Sequence, residues 1–197
     1  MDLIIEGLRE AIRKIAALDP DLRDAALRTL QVSGTATLIG VPAGVGLALS
    51  RFRGRTFVAA LVNTGMGLPP VVVGLFVMIL LWRSGPLGGL GLLYTPAAMI
   101  VAQSLIAMPL VTGLSLAAVQ TLPPRLRLQV RALGATPVQS AWILAREAQL
   151  PILAALMAGF GAVVSEVGAS LMVGGNIRGS TRVLTTATVL EAGKGNF

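Results

Sequence analysis

Charged residues in this chain fall in short clusters separated by long uncharged stretches. No charge lies between Arg28 and Arg51, between Arg55 and Arg83, between Arg83 and Arg125, or between Glu147 and Glu166. A bilayer core accepts a helix of about 20 apolar residues, and each central Asp, Lys or Arg costs roughly 2.5–3.5 kcal/mol there. The pattern predicts an all-α integral membrane protein. Four spans is the minimum reading, at about 28–50, 56–82, 94–119 and 142–173.

Residues 1–24 follow a different rule. Leu3, Ile4, Ile5, Leu8, Ile12 and Ile15 recur at helical spacing among acids and bases, which predicts an amphipathic helix lying at the interface. Asp2 and Glu6 stand where a signal peptide would have bases. Asp19-Pro20-Asp21 then breaks this helix and is placed to cap the next, opening a membrane domain over 25–197. The first span is rich in Gly, Ala, Ser and Thr, so the face carrying Gly40, Ala43, Gly44 and Gly46 is expected to pack against another helix. Adjacent Pro69 and Pro70 interrupt the second span, because each proline removes a backbone donor. Pro109 lies inside the third, and a polar segment at about 121–141 precedes the fourth.

Composition adds orientation and several exclusions. Mean hydropathy is +0.79 and 54% of residues are hydrophobic, which a soluble domain of 197 residues does not show. The net charge of +7 does not mark a nucleic-acid partner, since the bases sit between apolar runs and form no stripe with interleaved aromatics. Arg51, Arg53, Arg55, Arg125, Arg127, Arg131 and Arg146 lie on one side of the predicted spans, and Arg83, Arg178, Arg182 and Lys194 on the other. The positive-inside rule makes the first set cytoplasmic and the N-terminus external. Arg51, Arg53 and Arg55 read most simply as topology determinants. The chain has no cysteine or histidine and no G-x-x-x-x-G-K-[ST] phosphate loop, so no ATPase, thiol or histidine chemistry is encoded in it.

The segment RLRLQVRALGATPVQSAWILAREAQLP, Arg125 to Pro151, resembles the EAA loop of binding-protein-dependent ABC transporter permeases. Gly134 matches the central glycine, flanked by Arg131, Ala132, Leu133 and Ala135. Leu128, Gln129 and Val130 replace the usual Glu-Ala-Ala, and Glu147 stands near the usual proline. Further stretches, GLPPVVVGL at 67–75, RSGPLG at 83–88, TPAAMIVAQ at 95–103, SEVGASLMVGGNIRGSTRVLTT at 165–186 and EAGKGNF at 191–197, are together similar to tungstate-importing permeases, relatives of the molybdate and sulfate permeases. Ala162 departs from the arginine usual there. The family also continues for another hydrophobic helix, which implies a fifth span beyond residue 197.

The resemblance implies the type I ABC importer permease fold, working as a homodimer with two cytoplasmic ABC ATPase subunits and an extracytoplasmic oxyanion-binding protein in a prokaryotic cell membrane. ATP and Mg would be bound by the ATPase partner, with no cofactor in this chain. Residues 131–135 would then form the ATPase-coupling loop. For a translocation path or gate the candidates are Pro69, Pro70, Ser165, Glu166, Asn176 and Arg178. Glu166 lies inside an apolar span, where it serves as a gate or clamp, or as a helix-to-helix anchor. The glycine-rich 174–182 segment offers backbone donors, hydroxyls and guanidiniums suited to an oxyanion, or is an external turn. Two alternatives remain open: a molybdate or sulfate permease of the same fold, and an ion-gradient-driven secondary transporter.

Overall fold

A computed structural model describes residues 7, 9, 12–13, 15–17, 19–50 and 52–195. Leu3, Ile4, Ile5 and Leu8 of the expected amphipathic helix, together with Arg51 and the last two residues, lie outside them. The described residues are helical, with no β-strand among them: α1 (Pro20–Leu49), α2 (Arg55–Met66), α3 (Pro70–Leu81), a 3₁₀ turn (Gly88–Leu90), α4 (Pro96–Gln120), α5 (Pro124–Ala132), α6 (Pro137–Glu147), α7 (Gln149–Val164), α8 (Gly168–Gly174) and α9 (Leu184–Gly193). Asp19 caps α1 as its sequence anticipates, its Oδ1 accepting from the Asp21 and Leu22 amides at 2.9 and 3.3 Å.

By length and composition α1 and α4 each suffice to cross a membrane, whereas α2 with α3 and α6 with α7 qualify only as bent pairs. Between α2 and α3 the chain turns by 105°. Pro70 is the first residue of α3, and the Gly67 and Leu68 amides close the end of α2 on the carbonyls of Thr64 and Gly65. The expected continuous span at 142–173 is corrected in the same way. It is three helices, with a 78° bend between α6 and α7 and a break at 165–167. Pro151 explains the bend, since its ring excludes the carbonyl four residues earlier, that of Glu147, from a continuing helix.

The chain divides into two compact units, one comprising Met1–Gly34, Pro70–Gln103 and Val164–Phe197, the other Thr35–Pro69 and Ser104–Val163. In the first, α3 packs on α8, and a Cβ at Gly74 would stand 2.5 Å from Ala169 Cα. Val77, Leu81, Met99 and Val173 fill its core, and the buried Gln103 Nε2 donates to Ser170 Oγ at 2.7 Å. The outer face of α3 is apolar as well, with Phe76 and Ile79 more than half exposed. Water would penalise such a surface, whereas hydrocarbon does not.

In the second unit α1 meets α4 through small residues. A Cβ at Gly40 would lie 2.6 Å from Val111 Cβ, and one at Gly44 would lie 2.6 Å from Ser115 Cβ and 2.7 Å from the Thr112 carbonyl oxygen. Thr112 Oγ1 donates to the Gly40 carbonyl at 3.2 Å across this contact. Glycines four apart let two backbones approach this closely. Gly46, expected on the same face, has open space where its Cβ would be. Gly44→Leu is therefore expected to destabilise the protein by about 1–3 kcal/mol or more through overpacking, and Gly46→Leu to leave it nearly unchanged. Thermal unfolding in detergent checks the contrast.

Candidate functional site

The hairpin of α5 and α6 is built from local chemistry. Pro124 starts α5, and the helix ends in a Schellman motif: the Gly134 amide donates to the Arg131 carbonyl at 3.0 Å and the Ala135 amide to the Val130 carbonyl at 3.3 Å. That motif needs a left-handed residue, and Gly134 has φ 77°. Two residues on, Thr136 opens α6 with a capping box. Its Oγ1 accepts from the Gln139 amide at 3.3 Å while Gln139 Oε1 accepts from the Thr136 amide at 2.9 Å. Pro137 occupies the first helical position, where its missing N–H leaves nothing unsatisfied.

The tip is thus fixed in shape and open to its surroundings. Arg131, Ala132, Leu133 and Gly134 are exposed and Ala135 is half-buried, while Val130 and Leu144 are buried and anchor the hairpin. Leu133 is 87% exposed, and Val138 and Trp142, one helical turn apart on α6, are 78% and 71% exposed. Val138 and Trp142 were not among the residues singled out from the sequence. Their signal was legible in T-P-V-Q at 136–139, a capping box that fixes where α6 begins and which face it presents.

Two arginines set the ends of the long helices nearby. Arg55 Nε donates to the Leu47 carbonyl at 2.9 Å and its Nη2 to that of Ala48 at 3.4 Å, while Arg127 Nη2 donates to the Val119 carbonyl at 3.0 Å. Cations at helix C-termini satisfy free carbonyls and oppose the negative end of the dipole. Arg55 therefore has a structural task beyond topology.

In the other unit, Glu166 occupies the break between α7 and α8. Its Oε1 accepts from the Ala169 amide at 2.9 Å, and its own carbonyl accepts from Thr185 Oγ1 at 3.4 Å. The adjacent Gly168 lies against Val71, where an added Cβ would come within 2.7 Å of Cγ2, so the start of α3 at Pro70 sits beside this break. Ser165 and Pro69 are exposed.

The loop at 174–183 folds onto itself instead of standing open. Thr181 Oγ1 donates to the Gly174 carbonyl and accepts from the Ile177 amide, and the amides of Ser180, Thr181 and Arg182 converge on the Ile177 carbonyl. Asn176, at φ 54°, accepts from Thr186 Oγ1 at 3.0 Å and from Arg182 Nε at 3.2 Å, tying the loop to α9. Arg178 grips Asp21 at the start of α1, Nε to Oδ1 at 2.9 Å and Nη2 to Oδ2. Hydrogen bonding to Asp21, and then its charge, push the Arg178 guanidinium above its ordinary range.

Apolar helices with lipid-suited faces, some of them broken, mark a polytopic membrane protein. The chain belongs to the family described as "Binding-protein-dependent transport system inner membrane component", whose model matches residues 40–190, and it has that family's all-helical fold. It is 46% identical over 164 residues to a Haloferax volcanii protein named "Probable anion ABC transporter permease protein", covering 81% of this chain and 71% of that one. It is 36% identical over 201 residues to the tungstate uptake system permease protein TupB of Peptoclostridium acidaminophilum, covering 100% of this chain and 88% of that one. The corresponding TupB of Campylobacter jejuni is 32% identical over 201 residues, covering 100% and 84%. Such permeases are transport components, not enzymes.

A Cβ at Gly134 would meet nothing within 4 Å, so substitution there acts through backbone strain alone. Gly134→Ala is expected to cost the hairpin about 1–2 kcal/mol and Gly134→Asn less, because asparagine tolerates the left-handed region. Hydrogen exchange across residues 124–147 should rise for alanine and fall back toward wild type for asparagine.

Proposed function

We propose that this chain is the membrane-spanning subunit of an ATP-driven, binding-protein-dependent importer of tungstate. The observation that carries the reading is the 36% identity that extends over the full chain to a tungstate uptake permease. In this reading two copies form the path on their shared axis, a symmetric arrangement that lets one chain of few helices enclose a hydrated oxyanion. Two cytoplasmic ABC ATPase subunits bind ATP and Mg, and an extracytoplasmic oxyanion-binding protein delivers the anion. The N-terminus is external, and the α5–α6 hairpin is cytoplasmic.

The hairpin suits a lever. Its Schellman turn and capping box leave little internal freedom, so force applied at Leu133 or Trp142 reaches Val130 and Leu144 and, through them, the helices they pack on. Apolar tips of this kind fill a complementary hydrophobic cleft. Closure of the ATPase pair would move the hairpins and open the dimer outward. Glu166 acts as a clamp that seats α8 against the start of α3, and an ionised carboxylate is a poor ligand for an anion. Pro69 and Pro70 supply the bend beside it. Asn176 and Arg178 shape and latch the outer loop, and selectivity lies mostly with the binding protein.

Leu133→Asp tests the coupling. The variant should insert normally yet lose at least about tenfold in co-purifying ATPase, the loss expected when a packed apolar anchor is replaced by a charge. Tungstate-stimulated ATP hydrolysis should fall in parallel, and undiminished association would reject the lever. Competition between labelled tungstate and excess molybdate or sulfate tests the substrate, with uptake suppressed far more by unlabelled tungstate than by either.

A further inference from the structure

Beneath the hairpin, within the second compact unit, lies an open cavity of about 1020 Å³. Its walls come from the ends of α1 and α4, the start of α2 and the inner faces of α5 and α6. Arg55, Arg127 and Arg131 all line it, and no aspartate or glutamate does. Among the described residues none of these three arginines takes part in an ion pair. A guanidinium carries five N–H donors. Arg55 commits its Nε and Nη2 to helix ends and Arg127 its Nη2, which leaves both with further donors. Ser140 adds a hydroxyl, while Leu49, Leu122 and Val138 make much of the remaining wall apolar.

We propose that this cavity binds the phosphate headgroup of an anionic membrane phospholipid. Three arginines with no acidic partner in one concavity attract an anion, and basic pockets between membrane helices on the cytoplasmic side suit lipid phosphates. The apolar part of the wall distinguishes the occupant. A free oxyanion is small and hydrated and has no use for leucine and valine, whereas a phospholipid brings its phosphate and the apolar root of its acyl chains together. The position fits as well, because the cavity opens where the apolar lengths of α1 and α4 end and the polar hairpin begins. A bound headgroup joins Arg131 near the tip to Arg55 and Arg127 at the helix ends, so the lipid ties the hairpin to the membrane helices. The inference rests on the transporter reading only in assigning the hairpin to the cytoplasmic leaflet.

Native mass spectrometry of the purified chain in detergent, mixed with phosphatidylglycerol, cardiolipin or phosphatidylcholine, tests it with no transport step in the assay. A failed transport assay and a failed lipid assay are therefore separate results. Each arginine near an anionic headgroup contributes about fivefold in affinity, so Arg131→Gln should weaken phosphatidylglycerol binding by roughly fivefold and Arg127→Gln/Arg131→Gln by roughly 25-fold. Arg131→Lys, which keeps the charge, should stay within about twofold of wild type, because a lysine near an anionic headgroup contributes about as much as an arginine. Arg131 is exposed, so its single variant remains informative if the double variant unfolds. Equal retention of phosphatidylcholine, or binding unchanged in Arg131→Gln, would overturn the proposal. So would binding of inorganic phosphate or tungstate alone with the same arginine dependence, which would make the site one for a free anion. Loss of all bound phosphatidylglycerol on adding the ATPase subunit would instead assign the cavity to a segment of that partner.

Discussion

Wherever a helix breaks in apolar surroundings, its freed backbone groups must find new partners, because each one left bare in hydrocarbon costs several kcal/mol. This chain breaks its helices repeatedly and answers several of the breaks with a nearby polar side chain, the others with turns of its own backbone. Asp19 caps the start of α1, and Arg55 closes its end. Arg127 closes α4, Thr136 opens α6, and Glu166 opens α8. Asn176 and Thr186 knit the loop before α9. The few charged residues are thus concentrated at helix ends, where lipid contact gives way to turns.

Close helix packing depends on the same economy of side chains. Gly40 and Gly44 bring α1 against α4, and Gly74 brings α3 against α8, while larger apolar residues such as Phe76 and Ile79 turn outward. Between a lipid-facing surface and a tightly packed interior, the α5–α6 hairpin is the feature that presents exposed apolar residues on a polar, internally braced frame. The side-chain oxygens of Glu166 and Asn176, by contrast, are engaged by neighbouring groups of the chain, the Ala169 amide for the one and Thr186 and Arg182 for the other.

The membrane character was legible because charge is excluded from spans by a large energy, and the helix at Pro96–Gln120 falls close to the expected 94–119, whereas α1 begins at Pro20, well before the expected 28. The central glycine of the hairpin was equally legible, since the left-handed conformation at Gly134 has a strong residue preference. What pattern reading missed was direction. The segment from 142 to 173 is apolar enough on average to look like one span, yet Pro151 and Glu166 interrupt it, and hydropathy averages both away. It likewise could not show that the Ile177 carbonyl and the Thr181 hydroxyl are engaged within the 174–183 loop, or that Arg178 meets Asp21, a partner distant in sequence. Gly46 looked like its neighbours Gly40 and Gly44, but the two positions beyond Gly44 turn it about 200° around the helix, from a packed face to an open one.

The most direct test is accumulation of tungstate in proteoliposomes assembled from this permease, its ATPase and the oxyanion-binding protein. Inward transport should require ATP and all three proteins, and should persist when proton and sodium gradients are collapsed. Accumulation at an undiminished rate without the ATPase, or driven by an ion gradient alone, would contradict an ATP-powered permease.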